Sequence, residues 1–134
     1  MAKVLVIDDE QGIRNLLDTR LRRKGYTVVL ADGGRKGLEL FRREHPDIVV
    51  LDLKMPELGG VAVLQQIRGL NPHIPVIVLT GAGTPETEQH VYALGASEFI
   101  EKEFSLHLLG DALKRLLKTP DQMASRTSSQ VPSL

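Results

Sequence analysis

Short apolar runs and helix-spaced apolar residues alternate five times along this chain, and that alternation constrains the fold more than any other feature. The runs are Val4 to Ile7, Tyr26 to Ala31, Ile48 to Asp52, Val76 to Leu79 and Ser97 to Glu101. Each is followed by a helical pattern. Ile13, Leu16, Leu17 and Leu21 mark the first, and Leu38 with Phe41 marks a short second. Val61, Leu64 and Ile67 mark the third, from about Gly60 to Leu70. The fourth starts at Thr84-Pro85-Glu86, a capping threonine followed by proline at the first helical position, and runs to about Leu94. Leu106, Leu109, Leu113, Leu116 and Leu117 mark the fifth. Gly25, Pro46, Asn71-Pro72 and Gly95 stand where helices stop. Strand–helix units in series predict an α/β fold, a parallel sheet with helices on both faces. Right-handed crossovers leave only a few strand orders to choose from.

A chain of 134 residues suits one core, expected over residues 1–118. The stretch from Thr119 to Leu134, TPDQMASRTSSQVPSL, is polar and cannot bury an apolar face. It is expected to be a disordered tail or a linker to a further domain. Lysine plus arginine equals aspartate plus glutamate, 17 each, which argues against a whole-domain grip on nucleic acid or an anionic membrane. Without cysteine there is no disulfide and no thiolate metal site, in keeping with a cytoplasmic location. No apolar stretch approaches the roughly 18 residues that span a bilayer.

The strand ends carry the chemistry. IVVLDLKMPELGG, Ile48 to Gly60, has a strand apolar on both faces that surfaces at Asp52 and then turns through Pro56, Gly59 and Gly60. An aspartate there can also serve as a cap. In an open parallel sheet, however, ligands bind outside the carboxyl ends of the strands. Those ends hold Asp8 and Asp9, Asp52, Thr80 and Lys102, with Asp32 near the end of the second strand. Carboxylates about 4 Å apart at an effective dielectric near 20 cost on the order of 4 kcal/mol per pair. The crevice must therefore take up protons or a cation. With only oxygen donors, the cation is a hard one, Mg²⁺ or Mn²⁺. A carboxylate nucleophile, a divalent ion, an ammonium group and a hydroxyl are the parts needed to move a phosphoryl group onto aspartate. The four histidines, His45, His73, His90 and His107, fall away from the strand ends and are expected at the surface.

Four ordered segments resemble the response-regulator receiver domain of bacterial two-component signalling: VLVIDDE, DLKMPELGG, VIVLTG and FIEK. The resemblance covers about residues 3 to 118. It implies a doubly wound five-stranded sheet of order 2-1-3-4-5 with five helices. It implies Asp52 as the phosphoacceptor, and Mg²⁺ held by Asp8, Asp9, Asp52 and the backbone carbonyl of Lys54. Lys102 would pair with the phosphoryl group. Thr80 would move toward it, and Phe99 would rotate inward. The face formed by the fourth helix, fifth strand and fifth helix would then switch, with Tyr92 and His90 placed there. The implied partners are a sensor histidine kinase or phosphotransfer protein and a downstream protein target or absent output domain. A phosphorylation-dependent homodimer is compatible with this. From the balanced charge and the short apolar runs, no direct contact of this domain with nucleic acid or membrane is expected.

The sequence departs from the family at several positions. Glu103 follows Lys102, where relatives most often carry proline after a cis bond. Since a non-proline cis bond costs about 2.5–4 kcal/mol, a trans bond is expected. Gly59 replaces a frequent Asp or Asn. Lys54 and Ala82 stand at positions that tune phosphate lifetime. Two other readings compete: a pseudo-receiver that binds partners without phosphorylation, favoured only by Glu103, and a Mg²⁺-dependent phosphatase, disfavoured by Lys54 where a second acid is usual. A flavodoxin-like cofactor binder lacks a phosphate-cradling loop after the first strand.

Overall fold

The computed structural model describes residues 2–81, 83–102 and 105–117. In chain order the elements are β1 (Lys3–Ile7), α1 (Gln11–Arg23), β2 (Thr27–Ala31), α2 (Gly34–Glu44), β3 (Ile48–Leu51), α3 (Gly60–Leu70), β4 (Val76–Thr80), α4 (Pro85–Ala93), β5 (Glu98–Glu101) and α5 (Ser105–Leu116). The five strands are parallel and lie in the order β2-β1-β3-β4-β5, as the family resemblance implies.

Alternation along the strands feeds two cores. Leu5 and Ile7 of β1 share one with Leu38 and Phe41 of α2, Val63, Leu64 and Ile67 of α3 and Val91 of α4. Val4 and Val6 share the other with Leu17 and Leu21 of α1 and Leu109, Ala112 and Leu113 of α5. All four residues of β3 are buried, because helices cover the sheet on both sides. Burying each such side chain contributes about 1.5–3 kcal/mol, so the central strands are held rigidly where they emerge. The register continues that order across the sheet: Ile7 pairs with Leu51, Leu51 with Val78, and Val78 with Phe99. Asp8 and Asp52 therefore follow immediately after paired positions on neighbouring strands.

Several boundaries differ from expectation. β3 ends at Leu51, although the Asp52 N–H still donates to the Ile7 carbonyl at 2.9 Å and extends the ladder by one residue. α2 is a full helix of 11 residues rather than a short one. It lies so close to β1 that a Cβ on Gly37 would stand 2.6 Å from Ile7 Cδ1. In α3 the buried valine is Val63, while Val61 is only partly covered. Leu16 lies at the edge of the α1 stripe and is exposed. Thr84 caps α4 as expected, its hydroxyl accepting from the Thr87 N–H at 3.1 Å. The expected tail (119–134), Ala82, and Glu103 with its bond to Lys102 lie outside the described residues. Among the described residues, no helix is long and apolar enough to cross a membrane.

Candidate functional site: an acidic cleft at the strand ends

A cleft of about 620 Å³ opens where β1, β3, β4 and β5 end, lined by Asp9, Glu10, Asp52, Lys54, Met55, Pro56, Thr80, Gly81 and Lys102. Asp8 and Asp52 are almost fully buried. Backbone donors fix both carboxylates. The Glu10 N–H donates to Asp8 Oδ1 at 2.9 Å, and the Lys54 N–H donates to Asp52 Oδ1 at 3.4 Å. The Asp8 carbonyl accepts from Arg14 Nη1 at 2.8 Å, which ties the first turn of α1 to the end of β1.

Lys102, from just beyond β5, reaches across to these acids. Its Nζ lies 3.1 Å from Asp8 Oδ2 and 3.4 Å from Asp52 Oδ2, and it also pairs with Glu10 Oε1. Burial alone would weaken the charge on Lys102. The carboxylates of Glu10, Asp8 and Asp52 outweigh that and push its proton affinity well above the usual lysine range. Asp8 is displaced upward, chiefly by burial and further by the neighbouring Asp52 charge. The Glu10 N–H and Lys102 oppose the shift without cancelling it.

The donor set fits a hard divalent cation. Asp8, Glu10 and Asp52 each offer a carboxylate oxygen, and these atoms all lie within 4.8 Å of one another. Asp9 is exposed and lines the cleft without joining that group of three. Glu10 joins the group although it lies two residues beyond Asp8, the acid that directly follows the end of β1. Its position directly after the acidic pair and before a helix was the available signal. Asp32 is exposed and does not line the cleft: it follows an edge strand, and its side chain is short, whereas Lys102 after the opposite edge strand, β5, has the length to reach in. All four histidines are exposed.

Thr80 is fully buried at the end of β4. Phe99 is partly buried on β5, and its ring lies over Gly83 in the connection between β4 and α4, where a Cβ would stand 2.5 Å from Phe99 Cζ. Tyr92 and His90 of α4 are exposed.

The response regulator receiver domain family matches residues 4–114. The chain belongs to that family. As a receiver domain it is 40% identical over 126 residues to the probable transcriptional regulator ycf27 of Porphyridium aerugineum, covering 94% of this chain and 52% of that protein. It thus spans about half the length of the curated relatives it matches first. The chemotaxis protein CheY4 of Vibrio cholerae superposes with a TM-score of 0.82 at 32% identity, over 87% of this chain and 99% of that one. The response regulator TrrA of Thermotoga maritima, solved in complex with Mg²⁺-BeF, gives 0.80 at 32% identity, over 87% and 100%.

The upward displacement of Asp8 has a measurable consequence. The native state binds this proton more tightly than the unfolded chain, so the ionised carboxylate opposes folding at neutral pH. Asp8→Asn is expected to stabilise the metal-free protein by on the order of 1 kcal/mol near pH 7, the scale of removing one buried charge that Lys102 only partly compensates. As pH falls through the raised native value toward the ordinary aspartate value of 3.8, wild type becomes protonated and the difference closes. Urea midpoints of both proteins at pH 7 and near pH 4 check this. A variant less stable than wild type at neutral pH would show that the Lys102 pairing outweighs the burial cost.

Proposed function

We propose that this receiver domain accepts a phosphoryl group on Asp52 from a sensor histidine kinase or phosphotransfer protein, and that the modified domain switches its affinity for a downstream protein or a linked output domain. One observation carries the reading. Two buried carboxylates on adjacent strand ends share one lysine inside an open cleft, with a third acid at its mouth. An Asp52 oxygen attacks phosphorus, the donor's P–N bond breaks, and the histidine nitrogen leaves with its electron pair and takes up a proton. Lys102 sits where it can hold the transferring oxygens by charge. Asp8, Asp9 and Asp52, with the Lys54 carbonyl, are the residues proposed to hold Mg²⁺, for which Mn²⁺ could substitute. When bound, the ion supplies charge neutralisation at the phosphoryl oxygens.

The acyl phosphate brings a charge of roughly −2 to a site that held about −1. Thr80 is proposed to turn its hydroxyl toward the new oxygens. Phe99, whose ring now lies over Gly83, is proposed to follow inward. The face of α4, β5 and α5, where Tyr92 and His90 lie, would then shift population. A homodimer formed through this face after phosphorylation is part of the same proposal, as is a cytoplasmic setting with no direct hold on nucleic acid or membrane. The Mg²⁺-BeF complex of the Thermotoga relative supports the pairing of ion and phosphoryl group.

Incubation with acetyl phosphate and Mg²⁺, read by intact mass, tests the reading. A single phosphate adduct that disappears with EDTA is the expected result. Absence of any adduct at saturating donor and metal would favour a partner-binding domain that is not phosphorylated. Steady turnover of small phosphoesters would favour a phosphatase.

A further inference from the structure

Lys102 carries three N–H donors, and three carboxylates take them up. Those carboxylates are not equivalent. Asp8 and Asp52 are buried, belong to strand ends and are each fixed by a backbone N–H. Glu10 differs on every count. It stands at the N-cap of α1, its side chain makes no capping bond, and that side chain is 60% exposed. Glu10 is thus a long, solvated arm that reaches over the mouth of the cleft to the ammonium group.

We propose that Glu10 is the resting-state counter-ion of Lys102 and the gate of the cleft: it occupies the ammonium donor that a phosphoryl oxygen takes on arrival, and it swings out to release it. This rests on the reading of Asp52 as acceptor. The choice of Glu10 as the group that moves follows from geometry. Displacing Asp8 or Asp52 would strand a buried carboxylate, whereas Glu10 moves directly into water. Glu10 acts through Lys102 and is a positioning residue.

The gate has a signature with two opposite signs. An incoming anionic donor competes with Glu10 for one point charge, so removing the charge eases its entry. The same charge attracts a cation, and without it Lys102 holds Asp8 and Asp52 more firmly, so removal weakens divalent binding. In Glu10→Gln, the half-saturating acetyl phosphate concentration at saturating Mg²⁺ is expected to fall about three- to ten-fold. The half-saturating Mg²⁺ concentration is expected to rise a few-fold. Glu10→Asp keeps the charge and shortens the arm by one methylene. It is expected to fall between wild type and the Gln variant for both constants, because the charge stays at the mouth while the contact with Lys102 is weakened. A loss of local structure would not move the two constants in opposite directions.

A second readout needs neither metal nor phosphate. A double-mutant cycle of Glu10→Gln and Lys102→Gln, by urea unfolding of metal-free protein, should show coupling of about two-fold or more in the unfolding equilibrium constant. Additive single effects would overturn the pairing. A phosphorylated wild type with an identical donor dependence in Glu10→Gln would overturn the gate alone. A wild type that takes up no phosphoryl group would remove the gate together with the acceptor reading, even if the cycle showed coupling.

Discussion

Asp52→Asn is expected to abolish the phosphate adduct formed with acetyl phosphate and Mg²⁺, a loss of at least about a hundredfold in rate. The substitution keeps the shape of the side chain and its capacity to accept from the Lys54 N–H, which reaches Asp52 Oδ1 at 3.4 Å in wild type. It replaces an anionic nucleophile with a neutral amide whose oxygen is a poor one. The fold has no reason to fail, because the change removes one of two buried carboxylates that face each other across Lys102. Loss of adduct with an unchanged urea midpoint or a higher one is therefore the expected pair of results. An adduct in the variant at the wild-type rate would move the acceptor elsewhere in the chain. Asp8, deeper and also beside Lys102, would be the first residue to examine by peptide mapping.

Much of this site is legible in the sequence because strand ends are local features. A run such as Ile48 to Leu51, apolar at every position, is a strand covered on both faces, and the charged residue after it marks where the strand meets water. The same logic places Asp8, Thr80 and Lys102 near the cleft, since parallel strands deliver their ends to one rim. What local pattern cannot supply is the lateral order of the strands. Asp32 also follows a strand end, yet β2 is an edge strand and a short acid there does not reach the cleft, whereas the long Lys102 side chain does from the other edge, β5. The order itself came from family resemblance, not from periodicity. Glu10 failed to stand out for a related reason. Its partner lies 92 positions away, and its role depends on how the first turn of α1 points an N-cap side chain over the cleft. Val61 and Val63 stand two positions apart and so point to different sides of α3; packing against the neighbouring elements decided that Val63 is the fully covered one.

The largest expected effect on stability comes from a residue with no functional group. Gly60 opens α3, and alanine there would ordinarily be welcome, since Gly costs about 1 kcal/mol relative to Ala inside a helix. In this chain the expectation reverses. A Cβ on Gly60 would stand 2.2 Å from the Asp52 carbonyl oxygen and 2.6 Å from Leu53 Cα. Both are backbone atoms, and neither can move aside by a change of rotamer. The contact is so close because the chain leaving Asp52 folds straight back, the Gly60 N–H donating to the Leu53 carbonyl at 2.9 Å. Relief requires shifting the start of α3 or the end of β3, and both ends are anchored by fully buried side chains such as Leu51, Val63 and Leu64. Overpacking of this kind typically costs 1–3 kcal/mol and more against fixed backbone, so Gly60→Ala is expected to destabilise by about 3 kcal/mol. Equilibrium urea unfolding measures it directly. The same shift would displace Asp52 relative to Lys102, so the fraction that remains folded should also phosphorylate more slowly, by about tenfold or more, because a misplacement of 1 Å at a reacting group can cost about a hundredfold. A variant as stable as wild type would mean that the loop from Asp52 to Gly60 can open by more than 1 Å without penalty, and the tight return of the chain would then have no part in fixing the acceptor.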